Sequence, residues 1–134
     1  MIAMALKKVL IPPTKTTPEI TLDPKGTIKI KGRAIDESRD KAPEELTKWI
    51  DEYVLNPVEE TRVIIALEFL NSFNTMLLTG VLRKVSQVIR KGKQLVIDWY
   101  YEEDDVDIFE RGEYISNTIN IPILFFIAGD IYEI

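Results

Sequence analysis

The chain contains neither cysteine nor histidine. The first absence removes disulfides, thiolate nucleophiles and cysteine-ligated metals, and it fits a reducing compartment. The second removes the side chain that titrates nearest neutral pH and is the commonest zinc ligand. Together they argue against a hydrolase or a zinc enzyme. Glycine is sparse, and Gly26, Gly32, Gly80, Gly92, Gly112 and Gly129 never cluster into a P-loop or a GxGxxG cradle. No apolar run approaches the roughly 20 residues that span a bilayer. Near the start, Lys7 and Lys8 follow the apolar residues, the reverse of a signal peptide's order. A cytoplasmic protein without a membrane partner is expected.

Positive charge is also scarce. Lysine and arginine number 17 against 22 acidic residues, a net charge of −5. A nucleic-acid binder needs a basic face to neutralise phosphates. The basic clusters here, Lys7-Lys8, Arg83-Lys84 and Arg90-Lys91-Gly92-Lys93, read as solvated charges near element ends. No nucleic-acid partner is expected.

What is present is apolar. Hydrophobic residues make up 46% of 134, enough for one domain over residues 1–134 with a real core. Residues 1–18, with Pro12, Pro13 and Pro18 among threonines, read as extended chain. Ile20–Leu22 and Thr27–Lys31 flank Asp23-Pro24-Lys25-Gly26, the signature of a β-hairpin. A helix starts near Pro43, and Leu46, Trp49, Ile50, Tyr53 and Val54 share one of its faces. Arg62–Leu70 is nearly continuous apolar sequence, as in a central strand covered on both faces. A helix over about 74–91 follows, stopped by Gly92. Gln94–Tyr100 is a strand, Tyr101–Asp107 an acidic loop opening a short helix to about Tyr114, and Ile119–Ile127 a last strand containing Pro122. The order predicts an α/β fold: a mixed four- to five-stranded sheet, an N-terminal hairpin and about three helices, with parallel crossovers.

The segment Val63–Arg90 carries the functional signal. An apolar strand runs into Asn71-Ser72-Phe73-Asn74-Thr75 and then into an amphipathic helix. Hydroxyls thereby lie at a helix mouth, where unpaired N–H groups and the helix dipole favour negative charge. Ser72 suits an N-cap, as do Asn71, Asn74 and Thr75. Ser72 equally suits a phosphoacceptor, because the helix N-terminus would stabilise the added charge. No nucleophile–base pair accompanies it. Glu68 and Asp98, each on an apolar strand, offer a competing reading as a carboxylate pair of a small enzyme. Glu102-Glu103-Asp104-Asp105 lacks the alternation of a calcium loop and reads as a solvated loop, so no metal or other cofactor is expected. A third reading is a homodimer formed through an edge strand.

The strand, break and helix, followed by Gly92-Lys93-Gln94-Leu95-Val96-Ile97, resemble the STAS domain of anti-sigma-factor antagonists. Almost the whole chain is similar to the SiaC family of bacterial regulatory phosphoproteins. The likeness rests on Ile11–Asp23 (IPPTKTTPEITLD), Ile28-Lys29-Ile30-Lys31-Gly32-Arg33, the Trp49–Tyr53 helix and the strand entering Leu70-Asn71-Ser72. The resemblance implies a STAS-like fold and a protein without enzymatic activity of its own. It also implies a cognate kinase and phosphatase acting at the position of Ser72, with Thr75 as fallback acceptor. The unphosphorylated form would activate a diguanylate cyclase, with Asn71, Phe73, Asn74 and Thr75 as partner-binding residues.

Overall fold

The computed structural model describes residues 5–134. Residues 1–4 of the segment expected to be extended lie outside it. β2 (Glu19–Asp23) and β3 (Thr27–Ala34) form the anticipated hairpin. Asp23 builds the turn, its carboxylate accepting from Lys25 N–H at 2.9 Å and its carbonyl from Gly26 N–H at 2.9 Å. Gly26 sits at φ 113°, and a Cβ there would lie 2.5 Å from the Glu60 carbonyl oxygen, so only glycine fits. Strand alternation buries Ile20, Leu22, Ile28 and Ile30 and leaves Thr21, Lys29 and Lys31 on the other face.

β3 leads through α1 (Ala42–Tyr53) to β4 (Glu60–Leu70). β4 leads through α2 (Ser72–Val85) and the single turn α3 (Gln87–Arg90) to β5 (Gln94–Glu102). α4 (Val106–Ile119) then connects to β6 (Leu124–Ala128). β3, β4, β5 and β6 are mutually parallel. A short β1 (Val9–Ile11) adds antiparallel to β2, and the spatial order is simply β1-β2-β3-β4-β5-β6.

The sheet therefore has six strands rather than four or five. The extra one is β1, whose three residues precede Pro12-Pro13 and show no alternation long enough to read. α4 runs to Ile119, past the expected stop at Tyr114. It ends where Asn120 turns left-handed at φ 57° and donates its N–H to the Ser116 carbonyl. The last strand starts only at Leu124, so Pro122 precedes it instead of bulging it.

α1, α2 and α4 lie on one face of the sheet. Their Leu46, Trp49, Ile50, Leu82, Val85, Ile108 and Ile115 close one core with Ile28, Val63, Ile65, Ile97 and Trp99 of the strands. Gly112 lets α4 come down onto that layer: a Cβ there would meet Phe125 at 2.7 Å and Trp99 at 2.8 Å. The opposite face carries Lys29, Lys31, Arg33, Arg62, Ile64, Glu68, Asp98 and Tyr100. It is covered only locally, where Ile131 of the turn Ile131–Glu133 packs on Ala66 and Ala128. β4 is thus interior to the sheet, as expected, but it is layered by helices on one side only. Burial pulls the Lys29 amine below the ordinary lysine range, Lys31 adds to the effect and Glu19 opposes it. Lys29 donates to the Ile134 carbonyl and Lys31 to that of Tyr132.

Candidate functional site

The candidate site is the junction where β4 ends and α2 begins. Asn71, in extended conformation, is the N-cap: its Oδ1 accepts from Asn74 N–H at 2.9 Å. The expected cap, Ser72, is instead the first helical residue. It is exposed and makes no side-chain hydrogen bond among the described residues. At this position an amide can both accept from the helix and donate away from it. Asn71 Nδ2 also donates to the Ile35 carbonyl at 3.0 Å, while Asn74 Nδ2 donates to Asp36 O at 2.8 Å. The two asparagines pin the chain after β3 to the helix mouth. On its other side the same stretch is held by Thr16, whose carbonyl accepts from the N–H groups of Ile35 and Asp36 at 3.0 Å each.

Thr75 behaves oppositely to Ser72. It is 5% exposed, donates to the Asn71 carbonyl at 2.8 Å and accepts from Arg111 Nη1 at 3.0 Å. Phe73 is half-buried beneath the Arg39 guanidinium, 5.3 Å from the ring centroid. Two cations therefore stand at this end of α2, Arg39 from the connection to α1 and Arg111 from α4. Arg111 is itself oriented by Asp107, 3.0 Å away and one helical turn back. Sequence reasoning missed both arginines. Asp107 and Arg111 show the i,i+4 spacing of a helix pair, but their neighbourhood to α2 is tertiary. Also missed was a cavity of about 550 Å³ beside the junction, between the Ile11–Pro18 segment, the 34–46 stretch and α2, with Asn74, Leu77 and Leu78 on its wall.

Glu68 and Asp98 do not converge on this junction. Both lie on the helix-free face, where each is neutralised by its own arginine. Arg33 Nε donates to Glu68 at 2.7 Å, and Arg62 Nη1 to Asp98 at 2.6 Å. These carboxylates hold the two guanidiniums charged, raising them above the ordinary arginine value through the hydrogen bond first and the charge second. A pair so engaged is structural. Two of the four carboxylates in the acidic loop are likewise committed: Asp105 caps α4 by accepting from Ile108 N–H at 3.1 Å, and Glu102 accepts from Ile131 N–H at 3.4 Å.

With this geometry, comparison with known proteins is informative. The family model for SiaC family regulatory phosphoprotein matches residues 11–127. The chain belongs to the SiaC family. It is accordingly a regulatory protein and not itself an enzyme. The fold is that of apo-SiaC from Pseudomonas aeruginosa, with a TM-score of 0.79 at 18% identity over 89% of this chain and 98% of that one. A second structure shows the diguanylate cyclase SiaD of the same organism with its activator SiaC. It matches with a TM-score of 0.78 at 18% identity, covering 87% of this chain and 97% of that one. No curated protein matches. Among the described residues, no helix is long and apolar enough to cross a membrane.

Proposed function

We propose that this SiaC-family chain activates a diguanylate cyclase by direct binding and that phosphorylation of Ser72 switches the binding off. The observation that carries the reading is the contrast at the α2 mouth. Ser72 is exposed and unengaged, while Asn71, Phe73, Asn74 and Thr75 around it are all tied into the fold. A kinase can reach Ser72 without unfolding anything. A phosphate there adds about −1.5 to −2 charges to a helix N-terminus whose first turn carries no acidic side chain. The fold tolerates the group, and the cost falls on the interface, where a partner must desolvate a dianion. Thr75 is the poorer acceptor, since its hydroxyl must first leave Asn71 and Arg111.

Asn71, Phe73, Asn74 and Thr75 shape the docking surface together with the 35–36 stretch they hold. The protein acts in the cytoplasm as a single domain, and a cognate kinase and phosphatase set its state. SiaD in the Pseudomonas aeruginosa complex supports a diguanylate cyclase as the partner class.

The test is a pull-down of a diguanylate cyclase from the same organism by the wild type, Ser72→Ala and Ser72→Asp, with phosphosite mapping after kinase treatment. Wild type and Ser72→Ala should bind alike. Ser72→Asp should bind more weakly with unchanged circular dichroism, and partially so, because a carboxylate carries less charge than a phosphate. A single modified residue outside Asn71–Thr75 would remove the basis of the switch.

A further inference from the structure

The two edges of the sheet are built differently. β1 is three residues long, follows Lys7-Lys8 and is ended by Pro12-Pro13. Short length, lysines and prolines are the devices by which proteins keep an edge from pairing with another chain. β6 has none of them within it, although Pro122 precedes it and Asp130 follows it. It is Leu124-Phe125-Phe126-Ile127-Ala128, five residues with no charge, no proline and high strand propensity. It pairs with β5 along one side only, so its outer row of backbone N–H and C=O groups is without a ladder partner among the described residues. Leu124, Phe126 and Ile127 are 50%, 40% and 61% exposed. Phe126 stacks on Tyr100 at 5.2 Å, which extends the apolar strip onto the helix-free face.

We propose that β6 pairs with β6 of a second copy of this chain, antiparallel about a two-fold axis at Phe126, joining two six-stranded sheets into one. A second strand can replace the solvent along an open ladder edge and bury its apolar side chains, and this strand is its own complement. The axis sets Phe126 against Phe126 of the other copy, Leu124 against Ala128 and Phe125 against Ile127, so every facing pair is apolar and no like charges meet. The α2 mouth and Ser72 sit on a different connection, and pairing leaves them free. The contact is one strand wide, which places it among weak, reversible interfaces.

The experiment combines sedimentation velocity with crosslinking. Wild type should shift with concentration through the micromolar range from the 15.4 kDa monomer toward twice that mass. Ile127→Lys should weaken self-association by about tenfold or more while retaining the wild-type melting curve and cyclase binding. Because the chain has no cysteine, Phe126→Cys creates a lone thiol that the axis places opposite itself, at the about 4.5–5.5 Å Cα spacing of facing strand residues that a disulfide can bridge. Diamide should convert it to a crosslinked dimer, and Leu10→Cys on the β1 edge should remain monomeric. A wild type that stays monomeric, a dimer untouched by Ile127→Lys, or equal crosslinking of the two cysteine variants overturns the proposal. A monomeric wild type whose cyclase binding is lost in Ile127→Lys also overturns it and gives the edge to a strand of the partner.

Discussion

Asn71 and Ser72 are neighbours engaged differently: Asn71 is tied into the fold, and Ser72 is the exposed hydroxyl that we propose as the phosphoacceptor. The difference has a measurable consequence. Asn71→Ala removes the cap on α2 and the tie to Ile35, and should cost about 1–2 kcal/mol in urea unfolding. Ser72→Ala removes no bond and should stay within about 0.5 kcal/mol of wild type. Equal losses would place the cap on the serine after all. Gly112 makes the second case for single residues. Alanine normally stabilises a helix interior by up to about 1 kcal/mol over glycine. Here its Cβ would press into the Trp99 and Phe125 rings, themselves wedged beneath α4, so Gly112→Ala should destabilise by about 1–3 kcal/mol. Thermal melting reads the sign directly, and a raised midpoint would mean the rings yield.

At the scale of elements, the acidic loop has two of its four carboxylates tied into the fold. With Asp105 capping α4 and Glu102 facing Ile131, we expect no tight divalent-cation site there. Calorimetry should give no micromolar heat with calcium or magnesium, and a signal abolished by Glu103→Gln/Asp105→Asn would refute this. Asp105→Ala should lose about 1 kcal/mol as a missing cap.

The elements also show what one sequence discloses. The hairpin, α1, α2 and β5 were legible because each has a run of period 2 or 3.6 between turn residues, and β4 because its apolar run is nearly unbroken. β1 was not, since three residues carry no period. The continuation of α4 was hidden because Ser116, Asn117 and Thr118 are polar and Ile119 reads as the start of the last strand, whereas Ile115 and Ile119 both pack on the core and carry the helix on. The helix mouth could be located to within two residues. Asn71 and Ser72 are both good caps, and what separates them is a contact with Ile35, 36 residues away. β4 was expected to be covered on both faces. Ile64 and Ala66 look like core residues in sequence, whereas one borders the open face and the other lies beneath the Ile131 turn.

For the molecule as a whole, one continuous core joins all three long helices to the sheet. A single cooperative transition is therefore expected. Trp49 lies on α1 and Trp99 on β5, so Trp99→Phe leaves a reporter in the helical layer and Trp49→Phe leaves one in the sheet. Fluorescence of each variant should follow its own far-ultraviolet dichroism with one midpoint. Separate midpoints within either variant would divide the chain into independent units.

The uninterrupted strand order also bears on synthesis. Each strand docks on the one made immediately before it, and none waits for a later segment to be inserted between neighbours. A chain emerging from the ribosome can enlarge its sheet by one strand at a time, with each connecting helix closing over the apolar face just laid down. β6, the sixth strand in that order, joins the sheet without a pairing partner on its far side among the described residues.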